Sequence, residues 1–171
     1  MRVVVATAQA SARRAKLVPL ETLSGKKILV DGYNVLITVE SILGGCSLYL
    51  CDDGLLRDIR GVFRSYKPSR ITDQALSEII DLLAQVSPSR VEFLLDQQIS
   101  MSGSMAAHIR EMMSLKGVAG TARTEMGVDY NLKVEKEIIA TSDGNVIDMA
   151  SLVIDIPKEI ARRRGVNPYV I

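Results

Sequence analysis

Short unbroken apolar runs alternate along the chain with stretches where apolar residues return every three or four positions. Ile28-Leu29-Val30, preceded by Gly25-Lys26-Lys27, reads as a strand buried on both faces, as at the centre of a parallel sheet. It stops at Asp31-Gly32-Tyr33-Asn34. Val35, Leu36, Val39, Ile42 and Leu43 then follow helical spacing as far as Gly44-Gly45, and residues 47–50 read as a short extended piece. The spacing of Leu55, Ile59, Val62 and Phe63 predicts a further helix, opened by Asp52-Asp53-Gly54 and ended at Pro68. Its opposite face would carry Arg57, Arg60, Arg64 and Lys67. Thr72 can cap a helix built on Leu76, Ile79, Ile80, Leu83 and Val86 and stopped by Ser87-Pro88. Residues 91–95 form a second strand ending in Asp96, and a helix follows with Met105, Ile109, Met112 and Met113 inward. Residues 118–124, 138–141 and 152–154 read as the third, fourth and fifth strands, with a short helix over 129–136 and a last helix opened by Pro157.

Strands alternating with helices predict an α/β fold, a three-layer sandwich around a mostly parallel five-stranded sheet. Right-handed crossovers bring all strand C-termini to one edge. Asp31, Asp96 and Asp143, each closing a different strand, are thus expected on one rim, where open α/β sheets keep their ligand sites. Residues 1–25 lack a clean period and contain Arg13, Arg14 and Lys16; they read as an N-terminal arm, flexible or packed over, before a domain at 26–171.

Composition narrows the chemistry. With 171 residues, 47% apolar and 24% charged, the chain suits one globular domain, and its net charge of +1 leaves nucleic-acid affinity to local patches. One histidine, His108, and two cysteines, Cys46 and Cys51, nearly exclude a zinc site of the usual ligands. The cysteines are expected as free thiols in a reducing compartment; no membrane span or signal core is read, and the expectation is a cytoplasmic protein. The apolar fraction with seven methionines suits a homodimer.

Clustered carboxylates without His or Cys partners either share protons or hold a hard divalent cation, and a third or fourth acid favours the cation. Mg²⁺ or Mn²⁺ on several acids is the machinery of phosphodiester hydrolysis. The Thr141 and Ser142 hydroxyls could orient a phosphate or a metal-bound water. Arg57, Arg60 and Arg64 read either as a phosphate-contacting stripe or as a solvated face. Tyr33 reads either as a stacking ring at the cleft or as a packed one.

The run Ile28 to Leu36, with its Asp31 and following Asn34, resembles the opening motif of the PIN-like and NYN nuclease superfamily. Ile139-Ala140-Thr141-Ser142-Asp143, followed by Asp148, is similar to its late motif, and Leu94-Leu95-Asp96 to the mid-chain acid of the NYN branch. The whole pattern, with Cys51-Asp52-Asp53-Gly54, looks closest to archaeal proteins of unknown function with a PIN-like fold. The resemblance implies strand order 3-2-1-4-5 and a metal-dependent ribonuclease acting on single-stranded RNA. Its catalytic residues would be Asp31, Asn34, Asp96 and Asp143, and its metal ligands Asp31, Asp53, Asp96, Asp143 and Asp148. Asp53 stands for the family's additional acid, with Asp129 and Glu40 as rivals. The alternative is a catalytically silent domain that binds RNA or protein. A haloacid-dehalogenase-type phosphatase needs an acid two residues after Asp31, where this chain has Tyr33.

Overall fold

The computed structural model describes residues 4–134 and 136–171, apart from the side chains of Arg64, Lys133 and Val134. Its centre is a five-stranded sheet in which β1 (Lys27–Asp31) lies between β4 (Arg90–Asp96) and β6 (Ile138–Ala140). The outer strands are β5 (Gly120–Glu125), beside β4, and β7 (Leu152–Ile154), beside β6, and every pairing is parallel. The strands alternate with helices α2 (Gly32–Leu43), α3 (Thr72–Val86), α4 (Ser102–Leu115), α5 (Val128–Val134), α6 (Gly144–Met149) and α7 (Ile156–Arg163).

The pleat of β1 divides the core. Ile28 and Val30 join Val91, Phe93, Leu95, Ile138 and Ala140 against α2, α3, α4 and α7. Leu29 joins Leu94, Ile139 and Val153 against α5 and α6. Burial on both faces is why these strands are continuous apolar runs. Gly32 starts α2 so close to β4 that an added Cβ would sit 2.9 Å from the Leu94 carbonyl oxygen and 2.5 Å from a Leu95 methyl. Only glycine lets the chain turn there, directly behind Asp31.

A second sheet, absent from the sequence reading, explains two differences. It holds β2 (Leu48–Leu50), antiparallel to β3 (Leu56–Asp58) and parallel to β8 (Tyr169–Val170). Numbered along the whole chain, the main sheet therefore runs β5-β4-β1-β6-β7 instead of 3-2-1-4-5. The helix expected from Asp52-Asp53-Gly54 to Pro68 does not form. Gly54, at φ +82°, makes a tight turn closed by its N–H to the Cys51 carbonyl at 2.8 Å, and β3 follows at once. Only residues Phe63–Ser65 make a short 3₁₀ turn. The helical spacing of Leu55, Ile59, Val62 and Phe63 was coincidental: Leu55 is buried, whereas Ile59 and Phe63 stay 53% and 38% exposed.

The N-terminal arm is packed over. Its helix α1 (Thr7–Arg14) leads into Lys16–Val18, which bond both sides of Val153 and cover the outer edge of β7. Cys46 and Cys51 are free thiols. No helix of the described residues is long and apolar enough to cross a membrane.

Candidate functional site

A cleft of about 530 Å³ opens at the C-terminal ends of β1, β4 and β6. Five carboxylates line it, Asp31, Asp58, Asp96, Asp129 and Asp143, together with Asn34 and Ser142, and none of the described side chains lining it is basic. The three strand-end acids therefore do share one cavity, joined by Asp58 and Asp129.

Asp31 is the most constrained. It is 5% exposed, and its Oδ2 accepts a hydrogen bond from the Thr141 hydroxyl at 2.8 Å. Burial pushes its pKa up to about 7, and the charges of Asp129 and Asp143 push the same way against the Thr141 bond. Asn34, in the first turn of α2, holds the facing loop: its Oδ1 accepts from the Ser142 N–H at 2.8 Å and from the Ser142 hydroxyl at 3.1 Å. The Asp143 N–H donates to Thr141 Oγ1 at 3.1 Å, and Asp143 Oδ1 in turn caps α6, accepting from the N–H groups of Asn145 and Val146. Asp96, at the end of β4, accepts from the Gln98 N–H at 2.8 Å.

Other candidates lie elsewhere or act differently. Tyr33 is 1% exposed and packs against Phe63 and Tyr66, with ring centroids 6.2 and 5.2 Å away. Burial, and then the charge of Asp96, push its phenol up to about 12. The stacking reading of Tyr33 is thus corrected: the exposed ring in the cleft is Phe63, held edge-on by Tyr33. Glu40 faces the interior, where Tyr66 donates to it at 2.8 Å and Thr72 also bonds it.

Asp53 and Asp148 are corrected as metal ligands, because guanidinium groups occupy both. Arg57 grips Asp53 in a two-pronged pair at 2.7 and 2.8 Å, and Arg13 adds a bond at 3.0 Å. Burial raises Asp53, but the two arginines more than reverse it and leave it below the usual carboxylate range. Arg13 also grips Asp148 at 2.7 and 2.9 Å and lowers its pKa. Among the described residues the helical stripe does not form: Arg57 is 1% exposed in β3 and the exposed Arg60 bonds Ser41, while the side chain of Arg64 lies outside the described residues. A helix would have turned Arg57 outward; in β3 it points into the core, where Asp53 neutralises it.

The cleft's donors are all oxygens suited to a hard cation. Among the described residues no three carboxylates already converge as a metal cluster. Mg²⁺ is commonly bound through one or two carboxylates with several waters kept, so Asp31 and Asp143 are the residues that could hold it.

Comparison with known proteins now places the chain. The family described as Domain of unknown function (DUF5616) matches residues 20–159. The chain belongs to this family. A relative, "Uncharacterized protein MJ0935" of Methanocaldococcus jannaschii, is 36% identical over 148 residues, covering 85% of this chain and 70% of the relative. No solved structure matches the chain. The resemblance to PIN-like and NYN nucleases is corrected accordingly: the matching family is one of unknown function, and neither it nor the archaeal relative points to those nucleases. Short strand-end motifs of Asp, Asn and Ser are what any parallel sheet needs to turn its chain and cap its helices, so they resemble across unrelated families.

Proposed function

We propose that the cleft is the active site of a divalent-metal-dependent ribonuclease that hydrolyses phosphodiesters of single-stranded RNA. The observation that supports it is Asp31, a buried carboxylate crowded by Asp129 and Asp143 in a cleft whose described lining holds no cation. Burying acid charge without compensation costs stability, and a site that tolerates this cost is a candidate for chemistry. Asp31 and Asp143 would hold Mg²⁺ or Mn²⁺, and Asp96 and Asp129 line the same cleft. When bound, such an ion would supply a water of lowered pKa and offset charge on the departing oxygen.

The chain's own residues do the rest. Thr141 fixes the orientation of Asp31 through its hydroxyl, and Asn34 fixes Ser142 next to Asp143, so the two acids need little reorganisation when substrate arrives. In the metal-free chain burial pushes the Asp31 pKa up to about 7, so binding of a cation there would release a proton near neutral pH. Phe63 and Ile59, exposed at the mouth, offer an apolar surface on which an unpaired base can stack.

The test is direct. Millimolar Mn²⁺ or Mg²⁺ should raise the melting temperature of the wild type, worth about 2.7 kcal/mol at a hundredfold excess over Kd, and should support cleavage of a labelled RNA oligonucleotide. Asp31→Asn should abolish both responses. A wild type indifferent to both metals and inert toward RNA overturns the reading. The lack of a preassembled three-acid cluster among the described residues favours one alternative, a silent domain that binds RNA without cutting it. RNA binding by fluorescence anisotropy without cleavage would select it.

A further inference from the structure

The loop that carries Ser142 and Asp143 is held from the far end of the chain. Arg57 Nε donates to the Ser142 carbonyl at 2.9 Å while its other nitrogens grip Asp53. Arg13, on α1, donates to Asp53, to the Gly144 carbonyl at 3.1 Å and to both oxygens of Asp148. Gln9 donates to Asp148 at 2.8 Å, and Lys16 to the carbonyls of Ile147 and Asp148 at 2.8 Å each, at the C-terminal end of α6. An added Cβ on Gly144 would lie 2.6–2.9 Å from the Arg13 guanidinium, so Gly144 and Arg13 are fitted to each other.

Asp53 is fully enclosed and Arg13 and Arg57 nearly so. A buried ion-pair chain of this kind seldom gains stability over apolar packing, which leaves open why it is there. What it does in this fold is fix two carbonyl positions, Ser142 and Gly144, on either side of Asp143. From this geometry we infer that Arg13, Asp53 and Arg57 are positioning residues that set the Ser142–Asp143 backbone in the cleft. The inference rests on the reading of that cleft as the active site. The residues are supplied by α1 and the β2–β3 region, and α1 lies outside the 20–159 segment that the family match covers.

The test separates positioning from stability. In the full chain, the double variant Asp53→Leu with Arg57→Met replaces the buried pair by apolar groups of similar size, and should keep a melting temperature near that of the wild type. Hydrogen exchange at the Ser142, Asn145 and Val146 amides should nevertheless speed up at least about tenfold, with the β4 amides unchanged. Mn²⁺ affinity, read from the free-ion electron paramagnetic resonance signal, should fall about 10–100-fold, as when outer partners of metal ligands are lost. Arg13→Gln gives a second, milder route should the double variant not fold, and Arg13→Lys should fail to rescue because a single ammonium cannot bridge Asp53, Gly144 and Asp148 at once. Wild-type exchange at these amides in a folded variant overturns the inference. Faster exchange in a protein whose wild type binds no Mn²⁺ supports the positioning role and overturns the metal-site reading instead.

Discussion

Two groups of acids flank one loop of this molecule and meet opposite fates. Asp53 and Asp148 sit among Arg13 and Arg57, and their pKa values fall. Asp31 sits across the same loop with Thr141 as its donor and Asp129 and Asp143 as charged neighbours, and its pKa rises to about 7. The two lie only a loop apart, joined by Ser142 and Gly144. Burial alone therefore does not mark a functional carboxylate. What separates them is the group each one faces: guanidinium groups hold Asp53 and Asp148 charged, whereas hydroxyl and backbone donors leave Asp31 and Asp155 raised by burial.

The comparison can be broken from either side. The largest effect should come from Arg57→Ala, which strips the bidentate partner from an enclosed Asp53 and should cost about 3–5 kcal/mol in urea unfolding. A cost under about 1 kcal/mol would show that Asp53 has access to water.

Next is Asp31→Asn. Native Asp31 and Asp155, the latter pushed by burial to about 6, bind protons that the unfolded chain releases near its ordinary carboxylate range of about 4. Wild-type stability should thus decline as pH rises from about 4 to 7, and level off above. Asp31→Asn should remove the upper part of that decline and stabilise the protein at pH 8, each unit of pKa elevation relieved returning about 1.4 kcal/mol. Asp53 and Asp148 slope the other way: their contribution is present above about pH 4 and is lost as pH falls through their depressed values. A wild type with no decline between pH 4 and 7 would remove the contrast.

Phe63→Ala should weaken single-stranded RNA binding by ~1–3 kcal/mol with little change in melting temperature, since the ring is partly exposed. Unchanged affinity would move the base contact elsewhere. The smallest effect should be that of Asp81→Asn, which removes an exposed pair with Lys116 and should shift stability by under about 1 kcal/mol and the Mn²⁺ response not at all.

The main sheet and the rim acids were legible from local pattern. A strand buried on both faces must be a continuous apolar run, and α/β connection rules then send every strand end to one edge. Hence the sequence places Asp31, Asp96 and Asp143 together, with the Thr141 and Ser142 hydroxyls at the same rim, whereas the bonds from Ser142 to Asn34 belong to the tertiary structure. The segment from Asp52 to Lys67 was not legible. Its apolar spacing matched a helix, yet the turn at Gly54 and the buried pairing of Arg57 with Asp53 made it a strand and a loop. Tyr33 and Phe63 exchanged places for the same reason, since only the path of that loop decides which ring is covered. The family itself came from comparison along the whole chain, which short motifs at strand ends could not supply.

Periodicity and strand-end residues settle which elements exist and where their ends point, because each depends on contacts within a few residues. Which acids are neutralised depends on groups far apart in sequence: Arg13 reaches Asp148 across 135 positions, and Thr141 reaches Asp31 across 110. Nothing local distinguishes Asp53 from Asp31. Only folding brings a guanidinium to one and carboxylates to the other, and that placement lowers the pKa of Asp53 and raises that of Asp31.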